Sequence, residues 1–194
     1  MMFRLQLPTD PRWVDVAEKN VEDILTDHAY CELKAAATAL SLVHKFYDHP
    51  AIVTKMSELA REEMEHFHRV HEFIIKRGLT FGGEKKDEYV NKILKQVKVG
   101  GSKLMQLIDH LLVAALIEAR SCERFKLLSE QIKDEELALF YRELMESEAG
   151  HYTLFITLAR DIAPREQVDK RWEDILEIES GVIKTLGNSS TIHG

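Results

Sequence analysis

Apolar residues recur every three or four positions through nearly the whole chain, and no segment sustains two-residue alternation. That period belongs to α-helices with one buried face, so the sequence reads as amphipathic helices packed on one another. The helix breakers fall between the periodic stretches: only 9 Gly and 4 Pro occur in 194 residues. Pro11 follows Asp10, Pro50 takes a first-turn position after Asp48 and His49, and Pro164 opens a last segment. Gly78 follows Lys76 and Arg77, as helix ends do. Gly100-Gly101 breaks the chain ahead of Ser102, a good N-cap; Asp134 caps the next helix, with Glu135 and Glu136 in its first turn.

These marks predict four long helices, over roughly 12–47 (broken near Asn20), 50–77, 102–131 and 134–162. Shorter helices are expected over roughly 86–98 and 165–186, followed by a loose polar tail, 187–194. The first and last links are short enough to make antiparallel hairpins, while the middle link, from Gly78 to Gly101, runs about 24 residues. Two hairpins joined by one long crossover define an all-α, ferritin-like four-helix bundle, here expected as a single domain, 1–194. The composition, 45% hydrophobic and 30% charged, suits one such domain. The longest apolar run, 111–117, is far short of the ~18 residues of a membrane span. Residues 1–10 do not resemble a signal peptide, and two cysteines make no disulfide framework, so a reducing cytoplasm is the expected location.

Each long helix carries a carboxylate on its apolar stripe. In the first, Leu25, His28, Ala29, Glu32, Ala36 and Ala39 share a face. In the second it is Ile52, Met56, Leu59, Glu63, His66, Val70 and Ile74. The third has Leu107, Leu111, Ala115, Glu118, Cys122 and Phe125, and the fourth Leu137, Tyr141, Leu144, Glu148, His151 and Phe155. An unpaired carboxylate in a core costs several kcal/mol, so four at one level need a reason. A pair of divalent metal ions supplies it: Glu-x-x-His offers oxygen and nitrogen from one helix face, and a Glu from each remaining helix completes the set. Carboxylate with imidazole and no thiolate cluster suits iron or manganese. The expected ligands are Glu32, Glu63, His66, Glu118, Glu148 and His151.

A lone Glu-x-x-His is a weak signal. Glu65–His68 also fits it, but shares its face with Glu58, Arg61, Glu62 and Glu72, a solvated surface. The stronger signal is a repeat: Glu63 follows Glu32 by 31 residues and Glu148 follows Glu118 by 30, so each hairpin supplies one lone Glu and one Glu-x-x-His. Glu123 breaks that register. The bland alternative pairs inward carboxylates with Lys or Arg, yet none shares the stripes near the four Glu. His28 reads as a core histidine or as a group supporting a ligand or facing substrate, and His110 likewise; His44, His49 and His193 read as surface residues, and Cys31 and Cys122 as small buried ones. Phe67, Phe125, Tyr141 and Phe155 read as core.

Such a site serves oxygen activation, iron oxidation and storage, or peroxide removal equally well. Ala29, Ala35, Ala36, Ala39, Ala114, Ala115, Ser121 and Cys122 leave room for an organic substrate near the carboxylates. A metal-free helical interaction module is the reading from another class. The segments 28–42, 60–67, Ile117-Glu-Ala-Arg-Ser-Cys-Glu-Arg-Phe125 and Ser147-Glu-Ala-Gly-His151 resemble the tRNA hydroxylases acting on 2-methylthio-N6-isopentenyladenosine, over roughly 10–185. The resemblance implies a ferritin-like non-haem diiron monooxygenase with the six ligands above. It implies hydroxylation of the isopentenyl group beside the anticodon, using O2 and two electrons, with tRNA and an external reductase as partners. The alternative is a ferritin-like iron-oxidising or peroxide-removing protein. One departure is Gly150, where the family favours a larger residue.

The net charge of -7 argues against a nucleic-acid partner until its distribution is considered. From Lys76 to Lys103, eight basic residues face three acidic ones, a local +5. Lys85, Lys86, Lys92, Lys95 and Lys98 are the expected contacts to tRNA phosphates; a merely solvated basic crossover is the competing reading.

Overall fold

The computed structural model describes residues 2–97, 100–187 and 190–193. Among them are seven α-helices and no strand: α1 (Trp13–Lys19), α2 (Val21–Lys45), α3 (Pro50–Lys76), α4 (Glu88–Gln96), α5 (Lys103–Gln131), α6 (Glu135–Ile162) and α7 (Arg165–Ile183). The first predicted helix is two, α1 and α2, divided at Asn20, whose φ of -134° and ψ of 43° leave the helical region. None of these helices is long and apolar enough to cross a membrane.

The helix ends follow local chemistry. Gly78 takes a φ of +65°, and its N–H and that of Leu79 close back onto the carbonyls of Ile75 and Ile74. Gly101, at φ +80°, delivers Ser102 as the N-cap of α5, whose Oγ accepts from the Met105 N–H at 3.2 Å. Asp134 Oδ1 accepts from the Leu137 N–H at 3.0 Å, and Asp87 Oδ1 from the Val90 N–H at 2.8 Å.

The chain forms two compact units. One is the α2–α3 hairpin with the segment after it, which folds back onto α2: the Thr80 N–H donates to Glu22 at 3.0 Å, Tyr30 Oη donates to the Gly82 carbonyl at 3.1 Å, and Lys85 pairs with Asp23 at 2.7 Å. Its core includes Leu25, Ala29, Ile52, Met56, Val70 and Ile74. The other unit holds α4 to α7 and the N-terminal segment, around the α5–α6 hairpin. Trp13, Leu111, Phe125, Tyr141, Trp172 and Ile175 belong to its core.

Four expectations need correction. The tail is not loose over 190–193: Asp27 accepts from the Ile192 N–H at 2.7 Å, and Ile192 is fully buried. His193 is not a surface residue but is buried, because Ser121 and Asp87 hold its two ring nitrogens at 2.9 Å each. Cys31 and Phe67 are only half-buried, since both stand at the edge of their stripes; Phe67 lies against His71 and Phe81 beside the crossover.

Candidate metal site

Within the first unit, Glu32 from α2 and Glu63 and His66 from α3 are all buried. Their ligand atoms lie within 4.8 Å of one another. His66 Nδ1 stands 3.4 Å from Glu63 Oε2 and 3.8 Å from Glu32 Oε2. The hairpin brings them together because Glu63 and His66, three apart, share one face of α3, and α2 packs on that face. His28, one turn before Glu32 and fully buried, places Nε2 2.6 Å from Glu32 Oε1, so its ring N–H supports that carboxylate.

Within the second unit the arrangement repeats. Glu118 from α5 and Glu148 and His151 from α6 are buried, with ligand atoms within 4.8 Å of one another. His151 Nδ1 stands 3.4 Å from Glu148 Oε2. Cys122, one turn past Glu118, donates its thiol to the Met145 carbonyl at 3.2 Å. Burial pushes its pKa up to about 12, with the nearby charges of Glu148 and Glu118 adding to the rise, so it stays a neutral thiol.

Each trio thus offers two carboxylates and one imidazole in a buried setting. That donor chemistry fits iron or manganese, and it gives six oxygen and nitrogen side chains without a thiolate among them. The competing residues are occupied elsewhere or exposed. Glu123 accepts from Thr9 N–H at 3.0 Å and Thr9 Oγ1 at 2.8 Å, and pairs with Arg120. His68, the decoy, pairs with exposed Glu72 at 3.3 Å. His110 is half-buried.

Sequence reasoning missed a buried ionic network beside the second trio. Arg120 is fully buried; its Nε donates to Glu179 Oε1 at 3.1 Å and a terminal nitrogen donates to the Leu7 carbonyl at 3.1 Å. Tyr89 Oη donates to the same Glu179 oxygen at 3.3 Å. Burial raises the Glu179 carboxyl while Arg120 opposes the rise, and burial lifts the Tyr89 phenol well above its usual range. Arg124, also buried, lies 4.5 Å over the Trp13 ring. The available signal was the pair of arginines flanking the stripe in Glu118-Ala-Arg-Ser-Cys-Glu-Arg124, spaced to meet α7 and the N-terminal segment rather than the stripe.

The basic crossover divides between the units. Lys85, paired with Asp23, and exposed Lys86 belong to the first. Lys92, which donates to Thr185 Oγ1 at 3.3 Å, and exposed Lys95 lie on α4 in the second. Lys98 lies outside the described residues.

Comparison with known proteins agrees over nearly the whole length. Residues 2–194 match the family described as tRNA-(MS[2]IO[6]A)-hydroxylase (MiaE). A Pseudomonas putida protein named tRNA 2-(methylsulfanyl)-N(6)-isopentenyladenosine(37) hydroxylase is 35% identical, over 97% of this chain and 91% of its own. A Salmonella typhimurium protein of the same name is 31% identical, over 97% of this chain and 87% of its own. A solved structure titled as a protein with aldehyde deformylating oxygenase activity, from Synechococcus, superposes with a TM-score of 0.91 at 34% identity. It covers 98% of this chain and 95% of that one. The likeness carries the fold class, all-α and ferritin-like, that the hairpins and crossover imply. With a family match from residue 2 to residue 194 and two relatives above 30% identity, the chain belongs to the tRNA-(MS[2]IO[6]A)-hydroxylase family.

Proposed function

We propose that this chain is an O2-dependent diiron monooxygenase that hydroxylates the isopentenyl group of 2-methylthio-N6-isopentenyladenosine beside the anticodon of tRNA. The observation that carries this reading is the buried Glu with Glu-x-x-His set, present once in each hairpin. Family membership supports the substrate, and both relatives are named hydroxylases, which disfavours iron storage or peroxide removal. The two trios serve as halves of one centre, and residues 1–194 work as one domain; the 98% coverage of a single solved fold supports that reading.

Glu32, Glu63, His66, Glu118, Glu148 and His151 would hold two iron ions. The ions, once bound and reduced, supply the chemistry of dioxygen reduction and C–H oxidation that no side chain here provides. Four carboxylates balance the charge of two divalent ions, which is why they can stay ionised in a core. The imidazoles of His66 and His151 fix their side of the site, and His28 restrains the Glu32 carboxylate. Burial of all six keeps bulk water from the reacting carbon. Ala29 and Ala36 on the first hairpin's stripe, and Ala114 and Ala115 on the second's, are small side chains, which suits a branched five-carbon substrate chain. Lys85, Lys86, Lys92 and Lys95 would meet the tRNA phosphates, two electrons come from a separate cytoplasmic reductase, and the product is the hydroxylated nucleoside with water.

Mass spectrometry of tRNA nucleosides from cells with and without this protein tests the reading. The hydroxylated isopentenyl nucleoside should vanish, and its unhydroxylated precursor accumulate, when the gene is removed. Persistence of the hydroxylated form in cells with no other source of it rejects the assignment.

A further inference from the structure

The second unit contains a hydrogen-bonded chain that the metal ligands do not use. Asp87 Oδ2 lies 2.9 Å from His193 Nδ1, and His193 Nε2 lies 2.9 Å from Ser121 Oγ. Its two ends differ in setting. The Asp87 side chain retains 13% exposure at the start of α4, between exposed Lys86 and Glu88, whereas His193 and Ser121 are buried. Ser121 stands three residues past Glu118 on α5, on the same helix face. The His193 ring also stacks on buried Tyr89, with centroids 5.9 Å apart and planes 29° from parallel, which fixes its orientation. A carboxylate that keeps some contact with solvent, an imidazole bonded at both nitrogens and a hydroxyl one helical turn from a buried ligand are the parts of a proton wire. Imidazole accepts a proton at one nitrogen while releasing another from the opposite one.

We propose that Asp87, His193 and Ser121 form a proton relay that feeds the buried site at Glu118. The inference rests on the monooxygenase reading. That reaction, R–H + O2 + 2H⁺ + 2e⁻ → R–OH + H2O, consumes two protons per turnover in a site closed to water; the electrons come from the external reductase. A proton taken from water by Asp87 passes to Nδ1 as Nε2 releases its own to Ser121 Oγ, and the hydroxyl proton of Ser121 is taken up by the oxygen that leaves as water in the overall reaction. Only O–H and N–H bonds form and break, and tautomer exchange of the ring resets the chain. His193 thereby has a task that anchoring its segment alone does not require.

The test uses His193→Gln, which keeps a side chain able to bridge Asp87 and Ser121 but cannot relay a proton, together with Ser121→Ala. Asp87→Asn cuts the outer end while its remaining side-chain oxygen still caps α4. Iron-loaded, reduced full-length protein is mixed with O2, and its reoxidation is followed optically in H2O and D2O, with and without tRNA. All three variants should bind iron as wild type does, reoxidise at least tenfold more slowly and show an altered solvent isotope effect. Added imidazole should restore His193→Gly. In the metal-free protein, proton NMR should show a slowly exchanging His193 ring N–H that Asp87→Asn displaces. Reoxidation of His193→Gln and Ser121→Ala within twofold of wild type, with an unchanged isotope effect, overturns the relay. A wild-type protein that forms no hydroxylated nucleoside overturns the substrate reading instead, while reoxidation without tRNA still reports on the relay.

Discussion

The two hairpins carry one ligand pattern in opposite surroundings. In α3 only eight of 27 residues are buried, and its outer face carries exposed pairs such as Lys55–Glu58 and His68–Glu72. In α5, eighteen of 29 residues are buried, because α4, α7 and the N-terminal segment pack around it. Support for the ligands differs accordingly. Glu32 is held from its own helix by His28, whereas the position aligned with His28, four residues before Glu118, is Ala114. The α5 helix is instead fixed from outside, by Arg120 to Glu179 on α7 and by Arg124 against Thr9 and Trp13. A repeated motif therefore sets the ligand face of a helix, while the remaining faces decide how rigidly that face is presented.

The largest effect should be common to both halves. Glu32→Ala and Glu118→Ala each remove one of the four carboxylates of the proposed centre, so each should lower bound iron to one ion per chain or fewer. Product formation should fall by at least about 100-fold. Metal analysis and nucleoside mass spectrometry read both quantities, and wild-type iron content in either variant would break the shared-centre reading.

The next effect should separate the halves. Arg120→Ala takes the cation from Glu179 and Glu123 in the second unit, and breaking a buried pair by removing one partner costs about 3–5 kcal/mol. Lys55→Ala removes the exposed pair with Glu58, 2.8 Å apart, and should change stability by less than about 1 kcal/mol. Urea unfolding of the metal-free protein measures the contrast. Equal midpoints for the two variants would mean that the α5 network does not hold its helix.

Legibility in the sequence follows the same division. The α2–α3 and α5–α6 stripes, their caps at Ser102 and Asp134, the stop at Gly78 and the break at Asn20 are local effects, set within a few residues. The ligand trios follow from those stripes, and the structure gathers each trio within its own unit. What periodicity cannot carry is pairing between distant segments. Arg120 meets Glu179 across 59 residues, and His193 meets Asp87 across 106 and Ser121 across 72. His193 reads as a surface residue because it lies in a short segment with no helical period, and only the fold reveals the partners that bury it.

His28 gives a sharper measure of the asymmetry. His28→Ala makes the first half like the second at the position of Ala114, taking away the 2.6 Å support of Glu32. Loss of such a partner lowers metal affinity by about 10–100-fold. Competition with a chelator should find iron held correspondingly less tightly in this variant. Ala114→Ser, which adds a polar group at the matching place in α5, should leave affinity near wild type. An unchanged affinity in His28→Ala would make the bond to Glu32 incidental.

The smallest effect concerns the outer face of α6. Gly150 lies two residues past Glu148, and its counterpart two past Glu63 is exposed Glu65. Both positions face solvent, and a Cβ built on Gly150 meets nothing within 4 Å. Glycine in a helix interior costs roughly 0.5–1 kcal/mol relative to alanine, chiefly through the freedom of the unfolded chain. Gly150→Ala should therefore raise stability by about that amount and Tm by about 1–4 °C, since a chain of this size gains about 2–4 °C per kcal/mol. Because the added methyl touches no ligand, iron content and reoxidation rate should stay the same. A fall in either would show that α6 needs its flexibility at Gly150 to place Glu148 and His151, a demand that α3, with Glu65 there, does not share.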